Sequence, residues 1–68
     1  MKGFKDILKQ LRQDKGVSQK EVAKALNVSD DSIYNWEKGR SEPSINELIN
    51  LADYFNVTVD FLIGRVEI

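Results

Sequence analysis

Two reactive side chains are missing from this 68-residue chain, which contains neither cysteine nor histidine. The lack of cysteine excludes disulfide bonds and thiolate metal sites. The lack of histidine removes the commonest general base and the usual nitrogen ligand of zinc. The remaining residues supply no nucleophile–base pair, metal cluster or phosphate-binding glycine loop. The sequence therefore predicts no catalytic site, no metal and no cofactor, and we do not expect an enzyme.

The chain also lacks a long apolar run. Its first ten residues, MKGFKDILKQ, are amphipathic and hold no stretch long enough for a signal peptide or a membrane span. A cytoplasmic protein without a membrane partner is the simplest interpretation. Residues 1–68 are expected to form one domain, close to the lower size limit for a self-sufficient hydrophobic core. The sequence leaves open whether the chain is complete or part of a longer protein.

The four glycines and the single proline separate segments with helical periodicity. Apolar residues at the i, i+3, i+4 and i+7 spacing of one helix face begin at Phe4, and Gly16 ends that pattern. Ser18 and Glu21 then have the spacing of a capping box, which begins a helix. These and similar signals predict an all-α fold with five helices, over about residues 4–15, 19–26, 30–38, 45–55 and 59–63.

The second and third predicted helices are joined by only three residues, Asn27, Val28 and Ser29. Asparagine tolerates the left-handed conformation that often ends a helix, and serine is a typical N-cap. Ala23 is small at the point where we expect the backbone of helix 3 to cross helix 2. A turn this short between two short helices is typical of the helix-turn-helix motif.

From about Ile7 to Gly64, the chain resembles the Cro/repressor (XRE-type) helix-turn-helix family. The motifs that carry the resemblance are Val17-Ser18-Gln19, Val28-Ser29, Ile33 to Gly39, Pro43-Ser44, Leu51-Ala52 and Val57-Thr58-Val59. Asn27 stands where the family often has glycine. The resemblance implies a compact five-helix, lambda-repressor-like DNA-binding domain in which helices 2 and 3 form the helix-turn-helix. The implied function is sequence-specific binding of double-stranded DNA by a phage or bacterial transcriptional regulator, with repression as the expected mode.

The resemblance also assigns residues to DNA contacts, because a helix-turn-helix lays its second helix in the major groove. The residues expected to read bases are Asp30, Asp31, Ser32 and Asn35. The residues expected to bind phosphate are Gln19, Tyr34, Lys38 and Arg40. Domains of this type bind palindromic operators as dimers, so a homodimer on DNA is expected. Apolar candidates for the dimer surface are Phe61, Ile63, Val66 and Ile68.

Several of these assignments have a structural alternative. For Gln19 it is an ordinary surface residue in the first turn of helix 2. Asp30 and Asp31 suit the positive end of the helix dipole, and Lys38 and Arg40 suit its negative end. Asn35 is unfavourable in a helix interior, which favours a functional role, such as the bidentate contact that asparagine makes with adenine.

The two aspartates depart from the family, whose reading helices more often carry Gln, Arg, Lys or Ser. A carboxylate only accepts hydrogen bonds, and cytosine N4 is the base donor that suits it. The hypothesis that follows is a cytosine opposite Asp30 or Asp31.

An ion pair between Arg12 of helix 1 and Glu37 of helix 3 is likewise implied by the resemblance. Its expected role is structural, because it would orient the reading helix. Trp36 is expected in the core and not in base stacking.

The charges are unevenly distributed along the chain, whose net charge is −1. Residues 1–24 hold seven basic and three acidic residues, whereas residues 41–68 hold one basic and five acidic. This asymmetry favours a basic working face and an acidic far side. The acidic reading helix and the negative net charge favour the alternative, a protein-interaction module such as an antitoxin or antirepressor with the same fold.

Overall fold

The computed structural model describes residues 3–65, which contain five α-helices and no strand. The helices are α1 (Phe4–Lys15), α2 (Gln19–Leu26), α3 (Asp30–Lys38), α4 (Ile45–Phe55) and α5 (Val59–Leu62). The all-α, five-helix fold class is confirmed. The bounds of α1 to α4 coincide with the expected ones, whereas α5 ends one residue early because Ile63 leaves the helical conformation at φ −93° and ψ 6°. None of these helices is long and apolar enough to cross a membrane.

Local hydrogen bonds determine where the helices begin and end. The Ser18 hydroxyl accepts from the Glu21 N–H at 3.0 Å, and the Glu21 carboxylate accepts from the Ser18 N–H at 3.1 Å, so the capping box is complete. Asn27 ends α2 at φ +59°, a left-handed conformation that asparagine tolerates. Ser29 caps α3 by accepting from the Ser32 N–H. Both sides of the α2–α3 turn are therefore fixed by its own residues.

The hydrophobic core draws side chains from all five helices. Its buried members are Phe4, Leu8, Val22, Ala23, Ile33, Trp36, Leu51, Ala52 and Leu62. Ile33 and Trp36 bury one side of α3 in this cluster, and Trp36 is a core residue as expected. Ala23 is fully buried on α2. The helix that is expected to read DNA is thus fixed to the domain along its inner side, and its outer side remains at the surface.

A bidentate ion pair fixes α3 against α1. Arg12 Nε donates to Glu37 Oε2 at 2.7 Å, and Arg12 Nη2 donates to Glu37 Oε1 at 3.1 Å. The third guanidinium nitrogen, Nη1, donates to the Val17 carbonyl oxygen at 3.1 Å. The two charged side chains are 15% and 4% exposed. Because a planar fork accepts only one relative orientation of its partner, this pair restricts both the position and the rotation of α3.

Gln19 adds a third element to the same carboxylate, because its amide nitrogen Nε2 donates to Glu37 Oε1 at 3.1 Å. Glu37, on α3, is thereby connected both to α1 and to the first residue of α2. We call Arg12, Glu37 and Gln19 the Glu37 network.

The hydrogen bond with Glu37 raises the pKa of the Arg12 guanidinium, burial opposes this shift, and the Coulombic attraction of the carboxylate adds to it. A group whose pKa is higher in the folded state stabilises the protein at every pH below its unfolded-state pKa. This stabilisation is lost only as the pH rises through the folded-state pKa. Since arginine titrates far above neutral pH, Arg12 keeps its charge in this network at physiological pH.

We expect Ala23→Leu to destabilise the domain by about 1–3 kcal/mol, because the added carbon atoms overpack a site with no free space. Ala25→Leu is the matched control, since Ala25 lies on the same helix and is exposed. Urea unfolding of both variants measures the difference. Equal stabilities for the two variants would contradict close packing at Ala23.

Replacement of the buried carboxylate by an amide, Glu37→Gln, is expected to lower the free energy of unfolding by on the order of 2–4 kcal/mol, because the Arg12 charge loses its partner. The control is Asp60→Asn, which removes the partner of Arg65 from an exposed pair 3.9 Å apart. That change should cost less than about 1 kcal/mol. Urea titrations of both variants measure the two losses in free energy of unfolding. Equal losses would refute the structural role of the Glu37 network.

Candidate nucleic-acid interface

The outer side of α3 carries most of the residues assigned to DNA. At 3.6 residues per turn, Asp30, Asp31, Tyr34, Asn35 and Lys38 fall on one face of the helix, opposite the buried side. All except Asn35 are exposed, and Asn35 is half-buried at the edge of this face. The fold therefore brings these side chains together on one surface that no other described helix covers.

The four residues assigned to base reading differ in what they offer. Asp30 and Asp31 are exposed in the first turn of α3. The Ser32 hydroxyl lies 3.0 Å from the Ser29 hydroxyl, so it takes part in the cap of α3. Within residues 3–65 the Asn35 amide has no hydrogen-bond partner. Asn35 thus presents a free donor and a free acceptor, the pair that a bidentate contact to a base edge requires.

Three of the residues assigned to phosphate form one cluster at the C-terminal end of α3. Lys38 Nζ lies 5.6 Å from the centre of the Tyr34 ring, and Arg40 Cζ lies 5.8 Å from it. Both distances are within the range of cation–π interactions. We call Tyr34, Lys38 and Arg40 the Tyr34 cluster. The sequence indicates part of this cluster, because the i, i+4 spacing of Tyr34 and Lys38 places them on neighbouring turns of one helix.

Gln19, the fourth residue assigned to phosphate, is half-buried at the start of α2. One N–H of its amide is used by Glu37, which leaves the second N–H for another acceptor. The hydrogen bond to Glu37 was not expected from the sequence in this form, because it depends on how α2 and α3 pack. Arg12 and Glu37 lie behind the surface that carries the assigned DNA contacts and support it.

The apolar residues proposed for a dimer surface all lie in the last eight residues of the chain. Phe61 and Ile63 are half-buried. Two further candidates lie outside the described residues: Val66 and Ile68. Within residues 3–65, the large aliphatic side chains left exposed are on α4, where Ile45 is 77% and Ile49 is 45% exposed.

A family model described as helix-turn-helix matches residues 8–62. Among curated proteins, the chain is similar to the HTH-type transcriptional regulator ImmR of Bacillus subtilis, with 36% identity over 90% of this chain and 48% of that protein. It is also similar to the HTH-type transcriptional activator BcrR of Enterococcus faecalis, with 35% identity over 96% of this chain and 32% of that protein.

The chain therefore spans half or less of the length of these two relatives. A crystal structure of a transcriptional regulator from Listeria innocua superposes with a TM-score of 0.87 at 32% identity, and the match covers 96% of this chain and 61% of that one. The match to the family model covers most of the chain and includes α2, the turn and α3. The chain belongs to the helix-turn-helix family of the Cro/C1 (XRE) type.

Proposed function

We propose that this chain is the DNA-binding domain of a transcriptional regulator and that it binds a specific duplex sequence with α3 in the major groove. The observation that carries the proposal is the outer face of α3, where the unpaired Asn35 amide lies beside the Tyr34 cluster. Sequence recognition is strongest where groups without internal partners point outward from a helix that is held in place. The Glu37 network supplies that immobility.

In this proposal the contacts divide by chemistry. The base edges are read by Asp30, Asp31, Ser32 and Asn35, and phosphates are bound by Gln19, Tyr34, Lys38 and Arg40. Phosphate contacts fix the register of the protein on the duplex and carry most of the sequence-independent affinity. Base contacts add discrimination, at about 1–3 kcal/mol for a good bidentate pair.

The proposal extends to a homodimer on a palindromic operator, since two copies related by a two-fold axis match two half-sites of opposite direction. It also takes repression as the mode and the cytoplasm as the location, where such an operator is accessible. One relative is named as an activator. A reporter placed behind the selected operator would distinguish repression from activation, because repression lowers expression when the protein is present.

Selection from a random-sequence duplex pool tests the function directly. We expect the wild-type domain to enrich one motif and Asn35→Ala to lose about 1–3 kcal/mol of discrimination at a single base pair. Asn50→Ala is the matched control, because Asn50 is an exposed asparagine on α4, and it should leave the motif unchanged. Recovery of a palindrome would support the dimer.

If no motif is enriched at low salt, the selection is repeated with the domain fused to a dimerising coiled coil. A second failure would refute sequence-specific binding and favour the protein-interaction module. That alternative draws its support from the exposed carboxylates of Asp30 and Asp31 and from the net charge of −1. Salt dependence separates the two functions, because phosphate contacts release counterions and give a steep slope of affinity against salt.

The two aspartates give a more specific prediction. We expect Asp30→Asn or Asp31→Asn to weaken the preference for cytosine at one operator position, since an amide offers a donor where the carboxylate only accepts. Each variant also removes one negative charge near phosphates, so its overall affinity should rise while that preference falls. Binding to duplexes that vary one base pair at a time measures both effects. An unchanged preference at every position would refute the cytosine contact.

A further inference from the structure

Lys5, in the first turn of α1, lies against the glycine that ends α3. A Cβ atom built on Gly39 would be 3.2 Å from Lys5 Cδ and 3.9 Å from Lys5 Nζ. The aliphatic stem of Lys5 therefore lies against one side of the exposed Gly39, and its ammonium group lies beside the C-terminal end of the reading helix. Gly39 has a positive φ of +74° and no side chain, and both features permit this close approach.

Lys5 joins two other cations at this point. Lys38 and Arg40 are the sequence neighbours of Gly39, and both are held over the Tyr34 ring. Positive charge thus comes to one end of α3 from two segments that are more than thirty residues apart in the chain. Within residues 3–65, none of these three cations forms an ion pair. Three cations around one helix end raise the local potential and favour an anion, and the carboxylates of Asp6 and Glu42 beside Lys5 offset part of that potential.

The position of this cluster points to the kind of anion. A reading helix in the major groove has a phosphate strand on either side, and in helix-turn-helix variants the C-terminal end of that helix contacts the backbone. Lys5 brings a flexible ammonium group to the same end from outside the helix-turn-helix unit. An ammonium at the tip of a long stem binds phosphate as a point charge and needs no fixed geometry.

We infer that Lys5 binds a phosphate of the duplex next to those bound by Lys38 and Arg40, so that the N-terminal turn of α1 belongs to the DNA interface. This inference rests on the proposed function. Two local roles compete with it. In the first, the ammonium stabilises the negative C-terminal end of the α3 dipole. In the second, it attracts the carboxylates of Asp6 and Glu42, which line the same surface depression.

The test compares Lys5→Gln, Lys5→Arg and wild type on an unselected mixed-sequence duplex, at salt concentrations from roughly 50 to 200 mM. Each phosphate contact contributes about 0.9 to the slope of log affinity against log salt. We expect the slope for Lys5→Gln to be smaller in magnitude by about 0.9, the share of one phosphate contact. The ratio of wild-type to variant affinity should then fall about threefold between the lowest and the highest salt concentration. Lys5→Arg should keep the wild-type slope, because it keeps the charge.

Lys9→Gln is the matched control, because it removes the same charge from an exposed lysine on the same helix. It should leave the slope unchanged. Equal slopes for Lys5→Gln and wild type would overturn the inference, and so would equal losses for Lys5→Gln and Lys9→Gln, which would indicate net charge alone. A lower melting temperature of Lys5→Gln with an unchanged slope would assign Lys5 to the helix dipole instead.

The unselected duplex makes the two failures distinguishable. If wild type binds it with a salt slope that Lys5→Gln reduces, the phosphate contact stands even when the selection experiment yields no motif. If wild type shows no salt-dependent binding to any duplex, the proposed function and this inference are both refuted.

Discussion

The carboxylate of Glu37 is the group on which the candidate interface depends. This carboxylate, which belongs to α3, accepts hydrogen bonds from Arg12 of α1 and from Gln19 at the start of α2. The apolar core holds α3 against the domain, but apolar contacts permit small rotations of a helix about its axis. A bidentate hydrogen-bonded pair does not. The direction in which Asp30 and Asn35 point is therefore set by a polar contact of the same helix, at Glu37, which lies two turns after Asp30 on nearly the same side.

The elements of the fold follow from local signals, which is why the sequence predicts them well. The Ser18–Glu21 capping box and the left-handed Asn27 act within a few residues, and each ends or begins a helix where its chemistry requires. The predicted α5 extends to about residue 63, one residue beyond the observed end at Leu62, because Ile63 lies outside the helical conformation. The Arg12–Glu37 pair was implied by resemblance to a family and not by spacing.

The remaining features of the interface depend on packing between helices, and the sequence carries little signal for them. The approach of Lys5 to Gly39 links the first turn of α1 to the end of α3, which no local pattern indicates. The exposure of Ile45 and Ile49 contradicts the simple expectation that regularly spaced aliphatic residues face the core. α4 packs against α1, α2 and α5, and the arrangement of these three helices determines which part of its apolar face stays uncovered.

The stacking of Lys38 and Arg40 on Tyr34 has a consequence for the entropy of association. A free lysine or arginine side chain loses up to about 2 kcal/mol of rotamer entropy when it is immobilised. Where a ring already restricts both cations, much of that loss occurs during folding and less remains when an anion arrives. The Tyr34 ring thus increases affinity even without touching the ligand, because it reduces the number of conformations that Lys38 and Arg40 sample before binding.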